Sequence, residues 1–492
     1  MGGVGALYVR LAHQRTGAFP RAPEGKVIAV APRSHRLGAV TALGLGLLLC
    51  TSTVSAAPVP ADLLPVPVPD VEGPLPSASP GDPAADDIAD TATFFATDAD
   101  LDAYGYVEEE FVLSGTARRY AGADVASEHP YRTRVVVRRP ARERDSNETA
   151  LVEWQNVTAG NDLDALWMSS ADHLMRSGYT WVGVSAQNVG VSHLAGWSPA
   201  RYGDLDVTDG GTVGGDALSY DVFAQAGRAL REPDGGTLAP GLEYDEVLAI
   251  GASQSASRMT VYYDQVLPLT EPVFDGYGFM VGPAPSGERP EPVFQVLSET
   301  DVAGSVPRED TDTLRVWEVA GAAHSGWAGR AARAEIEERD LGGQTEFACA
   351  EPPFSRVPLQ HPLNASYDHL REWADDGTAP PAADPIERTA AGEILRDADG
   401  HALGGIRLSQ VEVPTALNTG TNRAADADST FCYLFGSHRP YDEEELAERY
   451  PRRGSYVSSV VRTDVQNVRS GYLTRADARE NRHEAVRSGV GR

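Results

Sequence analysis

Between residues 246 and 267 the chain passes from a short apolar run, Glu-Val-Leu-Ala-Ile, through Gly251-Ala252-Ser253-Gln254-Ser255 and into a helical stretch that Pro268 stops. A buried strand, a sharp turn and a helix in so few residues leave the chain little freedom. That order predicts a serine raised on the turn, with Oγ clear of the sheet and the next N–H at a helix N-terminus, where partial positive charge gathers. The pattern is G-x-S-x-G except that Ser255 stands at the last glycine. Gly183-Val184-Ser185-Ala186-Gln187 carries similar letters, but a glycine-rich loop rather than a helix is expected behind it, so Ser185 is read as a look-alike. The competing role for Ser253 is a plain helix cap.

The segments around this turn alternate in type. Strand-like runs cover 106–113, 131–138, 150–157, 179–186, 246–250, 277–281, 293–297 and 314–319, and helical patterns fall at 166–177, 218–230 and 253–267. Short apolar strands separated by helices predict a mostly parallel sheet covered on both faces, and the first two runs, with no helix between them, fit an antiparallel start.

Two later strands end in chemically useful residues. The run 293–297 leads to Ser298-Glu299-Thr300-Asp301, and 314–319 leads to Ala320-Gly321-Ala322-Ala323-His324. Both sites lie just past strand C-termini, the edge at which open α/β sheets place their chemistry, and the chain order is serine, acid, histidine. His324 is therefore the candidate general base for Ser253, and Asp301 the candidate to orient it, with Glu299 as the competing acid. The oxyanion donors expected are the backbone N–H of Gln254 and that of Thr158 in the loop after the third strand, with Val157 as the second choice.

The blocks VEWQNVTAG, WVGVSAQNVGV, GASQSASRM, SETDV, LRVWEVAGAAH, RDADGHALGGIRL and VPTA, in that order over about residues 100–490, resemble the large bacterial family of alpha/beta hydrolase domain-containing proteins. The resemblance implies an α/β-hydrolase fold, with Ser253 and His324 on the family's nucleophile and histidine blocks. It implies little about the substrate. The expected activity is hydrolysis of a small-molecule carboxylic ester through an acyl-enzyme, with no metal and no organic cofactor. Amide or peptide hydrolysis by the same residues and a non-catalytic binding protein of hydrolase fold are the alternatives.

Composition narrows the class further. Net charge is −29, and residues 1–56 carry six basic side chains against Glu24 alone, so the remainder carries about −34. Such a surface repels phosphate backbones and anionic headgroups, which argues against nucleic-acid binding. Lys26 is the sole lysine, so a Schiff-base or Ser-Lys mechanism has no candidate residue once the leader is removed.

The apolar run from Leu37 to Leu49, after Arg33 and Arg36 and before Val54-Ser55-Ala56, has the form of a signal-peptide core. Thirteen residues are short for a bilayer span. Export with cleavage is the expectation, an uncleaved anchor the alternative; lipidation of Cys50 is disfavoured by Leu49 before it. Cleavage leaves Cys349 and Cys432, for which an oxidising compartment favours a disulfide over two separate thiols.

The expected organisation is a signal segment over 1–56, a Pro/Ala/Asp-rich extended linker over 57–90, a catalytic core over 91–345 and a C-terminal accessory part over 346–492 packed on it. That last part and the loop from 188 to 215 are the expected pocket walls, with Trp197, Tyr202 and Trp327 as pocket candidates. Residues 367–373 read as a helix. Arg396-Asp397-Ala398-Asp399-Gly400 reads as a hairpin turn in preference to a calcium loop, because the remaining ligands of such a loop are missing.

Overall fold

A computed structural model describes residues 63–77 and 92–491. The expected signal segment, with its apolar run and Cys50, lies outside the described residues, as do 57–62 and 78–90 of the expected linker. Among the described residues no helix is long and apolar enough to cross a membrane.

The apolar runs become the strands of one sheet: β1 (Asp70–Glu72), β2 (Tyr106–Ala121), β3 (Asp124–Pro140), β4 (Thr149–Trp154), β5 (Thr180–Val184), β6 (Glu246–Ala252), β7 (Gly276–Met280), β8 (Val293–Ser298) and β9 (Leu314–Val319). Their spatial order is β1-β2-β3-β5-β4-β6-β7-β8-β9. The pairs up to β3–β5 are antiparallel, and every pair from β5–β4 onward is parallel. The antiparallel start is thus as expected, though β2 and β3 extend to 16 and 17 residues.

Burial on both faces explains why the central strands read as continuous apolar runs. All seven residues of β6 are buried. Val247 and Ala249 enter one apolar cluster, and Leu248, Ile250 and Ala252 enter the other. The covering helices are α1 (Ala165–Arg176), α2 (Asn188–Trp197), α3 (Ser219–Leu230), α4 (Gln254–Val261) and α5 (Gln360–Asp376). Val222 and Phe223 of α3, with Ala256 and Met259 of α4, fill the first cluster, while Leu166 and Leu174 of α1 and Leu363 and Leu370 of α5 fill the second. Each such side chain is worth about 1.5–3 kcal/mol on full burial.

Two expectations need correction. The Pro-rich stretch read as a linker contributes β1, which pairs with Ser114–Val112 of β2, while Leu64 bridges to Thr270 and Val66 is 5% exposed. β1, a three-residue edge strand, holds no proline itself; Pro69 precedes it and Pro74 follows it. The segment 188–215, read as a loop, contains α2 and a short helix, Pro199–Tyr202, that starts on a proline at its first turn.

Beyond the sheet, β10 (Ala416–Thr419) and β11 (Ser437–Pro440) form an antiparallel ribbon, followed by helices α6 (Arg453–Arg469) and α7 (Arg475–Arg487). The described residues belong to one compact unit. A disulfide joins Cys349 to Cys432 across 83 residues. Asp397 to Gly400 is a turn between the bridged residues Arg396 and Ala402, and Asp399 is held by Arg449 at 2.8 Å.

Candidate active site

Ser253 is the junction of β6 and α4. Its backbone stands at φ 57° and ψ −114°, a conformation that L residues rarely adopt, and its N–H donates to Met280 O at 2.9 Å on neighbouring β7. Strain of this kind is the mark of a serine presented on a tight strand-to-helix turn. Gly251 permits the close helix approach: a Cβ there would lie 2.6 Å from Met259 Sδ and 3.2 Å from the Ser255 carbonyl carbon. Ser255, the departure from the glycine pattern, has a local role. Its Oγ accepts from Ala252 N–H at 2.9 Å and donates to Ala252 O at 2.8 Å, tying the first turn of α4 to the end of β6.

Asp301 and His324 come together at the same sheet edge. His324 Nδ1 lies 2.6 Å from Asp301 Oδ1, and the two side chains are 13% and 11% exposed. The other carboxylate oxygen of Asp301 accepts from Ser298 N–H and Oγ, which fixes its orientation. Glu299, the competing acid, is engaged elsewhere. It is buried, paired with Arg396 at 2.7 Å, and accepts from Gly321 N–H at 2.7 Å. Among the described residues neither Ser253 Oγ nor His324 Nε2 has a hydrogen-bond partner. Contacts between nucleophile and base are often loose without substrate.

The loop after β4 lies against the turn. Asn156 Nδ2 donates to Ala252 O at 2.9 Å, and Asn156 Oδ1 accepts from Thr158 N–H at 2.8 Å. This corrects the choice of Thr158 as oxyanion donor: its N–H is already taken. Among the described residues the backbone N–H groups of Val157 and Gln254 have no partner, and Asn156 couples the segments that carry them. The Asn156–Leu163 bridge closes the loop. Beneath it, Ser185 Oγ donates to Asp162 Oδ2 at 2.5 Å and to Gln155 Oε1 at 3.1 Å, so the look-alike serine is a fully buried structural group. Burial pushes Asp162 up to about 6, against the pull of Arg134.

A polar chain not foreseen in the sequence flanks the turn. The Gln254 and Gln187 amides bond to each other at 2.6 and 3.1 Å, Arg258 Nε donates to Gln187 Oε1 at 3.2 Å, and Arg258 pairs with Asp216 at 2.7 Å. No local sequence signal joins residues 42 to 71 positions apart in this way.

The C-terminal part grips the histidine loop. Ala320 N–H donates to Ile406 O at 3.0 Å, Ser325 N–H to Leu434 O at 2.9 Å, and Ser355 Oγ to Gly321 O at 2.5 Å. A Cβ on Gly420 would lie 2.5 Å from both Ala322 O and Glu299 Cβ, so only glycine fits. The disulfide links segments on either side of this grip, since Ser355 and Leu434 follow Cys349 and Cys432 closely in the chain.

The three aromatic pocket candidates separate. Tyr202 is fully buried, donating to Glu110 Oε1 and accepting from Phe94 N–H, which leaves it no surface for a ligand. Trp197 packs in the cluster with Phe94 and donates to Asp340 O at 3.0 Å. Trp327, three residues past His324, is 46% exposed with the Arg356 guanidinium 4.9 Å over its ring. A cavity of about 650 Å³ lined by Phe274, Asp275 and Pro292 opens at the opposite end of the parallel strands, so its size gives it no claim on this chemistry.

The family model for the alpha/beta hydrolase domain matches residues 71–483, and the chain belongs to that family. No curated protein matches the sequence. Similar solved structures include Methylesterase BT1017, with 12% identity and TM-score 0.29 over 49% of this chain and 56% of that one. A putative acetyl xylan esterase from Bacteroides fragilis has 11% identity and TM-score 0.23, covering 39% and 59%. XC6422 from Xanthomonas campestris, described as an a/b serine hydrolase without lid, has 12% identity and TM-score 0.27, covering 47% and 93%. The chain thus spans less than two thirds of the first and second of these.

Proposed function

We propose that the chain is a serine hydrolase that cleaves small carboxylic esters through an acyl-enzyme on Ser253. The observation that carries this reading is the strained Ser253 turn at the sheet edge that also bears the Asp301–His324 pair, bonded at 2.6 Å. In the first step His324 Nε2 takes the proton from Ser253 Oγ as the oxygen attacks the ester carbonyl carbon. Asp301 holds the Nδ1–H tautomer and stabilises the imidazolium. The negative oxygen that develops is met by the N–H groups of Gln254 and Val157, assisted by the N-terminus of α4. The imidazolium then returns its proton to the departing alcohol, and a water molecule, deprotonated by His324, releases the acid.

An ester is preferred to an amide because alkoxide departure asks less of the acid. Turnover of short p-nitrophenyl esters without turnover of matching anilides tests this; anilide turnover at comparable kcat/KM selects the amide reading. Export is part of the proposal and is supported by the Cys349–Cys432 disulfide, a bond that persists in oxidising compartments. N-terminal sequencing of the exported protein, expected to begin at Ala57, tests it.

A further inference from the structure

Helices α5 and α7 meet through polar side chains. His361 and Asn364 are three residues apart on α5, and Asp477 and Glu480 three apart on α7, so each pair shares one face of its helix. His361, Asn364 and Asp477 are 4%, 5% and 4% exposed, while the Glu480 side chain is 62% exposed and closes the cluster on the solvent side. One donor atom from each of His361, Asp477 and Glu480 falls within 4.8 Å of the others. His361 Nε2 is 4.0 Å from Glu480 Oε2.

A second observation singles out this cluster. Among the described residues His361 Nδ1 is buried without any partner, as is Asn364 Oδ1 beside it, while Asn364 Nδ2 donates to the two Asp477 oxygens at 3.3 and 3.2 Å. Buried acceptors are seldom left unpaired, because nothing then offsets their lost hydration.

We propose that His361, Asp477 and Glu480 bind a divalent transition-metal ion of the Zn²⁺ type. An imidazole nitrogen with carboxylate oxygens is a donor set for Zn²⁺, whereas Ca²⁺ and Mg²⁺ favour oxygen alone. Two ligands three residues apart on one helix, facing a histidine on the next, are a general way for helical layers to hold metals. The ion cross-links α7 to α5, and so fastens the C-terminal helices to a helix that covers the sheet. This site is separate from the ester chemistry and does not depend on it.

The test uses the full exported chain, stripped with EDTA and titrated with ZnCl₂, MnCl₂ and CaCl₂ by calorimetry and thermal melting. One Zn²⁺ per chain, with a rise in Tm that EDTA reverses, is the expected result. Glu480→Gln, on an exposed side chain, is expected to fold and to weaken Zn²⁺ binding by about tenfold or more, and Asp477→Asn to weaken it further. Absence of saturable Zn²⁺ uptake overturns the proposal. So does uptake unchanged in Glu480→Gln, or preference for Ca²⁺ over Zn²⁺.

Discussion

Asp301 divides its carboxylate between two partners: Oδ1 meets His324 Nδ1 at 2.6 Å, and Oδ2 accepts from Ser298 N–H at 2.9 Å and Ser298 Oγ at 2.6 Å. The acid is thereby held by the strand end that precedes it and has one oxygen to offer the imidazole. Asp301→Asn substitutes an amide that favours the wrong histidine tautomer, and kcat is expected to fall about 10⁴-fold. Glu299→Gln breaks the pairing with Arg396 instead. It is expected to lower stability by about 3 kcal/mol while activity per folded molecule is largely kept. Ester kinetics and denaturant melts on both variants check the pair of outcomes.

Asn156 joins the loop after β4 to the Ser253 turn. On the proposed oxyanion roles of Val157 and Gln254, its removal uncouples the segments that carry them, a loss felt mainly in the transition state. Asn156→Ala is expected to reduce kcat by about 10²-fold with KM little changed, comparable to loss of one oxyanion donor. A rise in KM with kcat unchanged would instead assign Asn156 to substrate binding.

The strand, turn and helix around Ser253 could be read from the sequence because each signal is local: the four apolar residues after Glu246, a Gly-Ala-Ser turn and Pro268. Asp301 and His324 could be read because each follows a parallel strand by only a few residues. Glu299 stayed open because its partner Arg396 is 97 residues away. Thr158 was a plausible donor until the Asn156 side chain claimed its N–H, which is a matter of rotamer rather than spacing. Tyr202 looked like a pocket aromatic in a polar stretch, but Phe94 and Glu110, 108 and 92 residues earlier, bury it. Helix α2 was missed because its two glycines read as loop; Asp216, which accepts from Asn188 N–H at 3.0 Å, supports its start from 28 residues on.

The Cys349–Cys432 bond closes a separation of 83 residues, and loop-closure entropy puts its contribution at about 4–5 kcal/mol. Because both flanking segments touch the histidine loop, Cys349→Ser with Cys432→Ser is expected to lower Tm and to reduce kcat even below the melt. Melting curves and ester kinetics with and without reductant check this.

His438 on β11 is pushed down to about 4 by burial, with Arg356 adding to the effect. Its folded value lies below the ordinary one, so it favours folding above pH about 6.5, and that stability is lost as pH falls toward 4. His438→Gln, which cannot titrate and can still donate to Asn418 Oδ1, is expected to show a shallower loss of stability between these values. Urea midpoints across the acid range measure it, and identical slopes in the two proteins would contradict the assignment.

The most direct test of the account is labelling with a fluorophosphonate probe followed by mapping of the modified peptide. The account predicts one label per folded chain, on the peptide bearing Ser253, abolished by Ser253→Ala and unaffected by Ser185→Ala. Labelling that persists in Ser253→Ala, or that maps to any other serine, contradicts it.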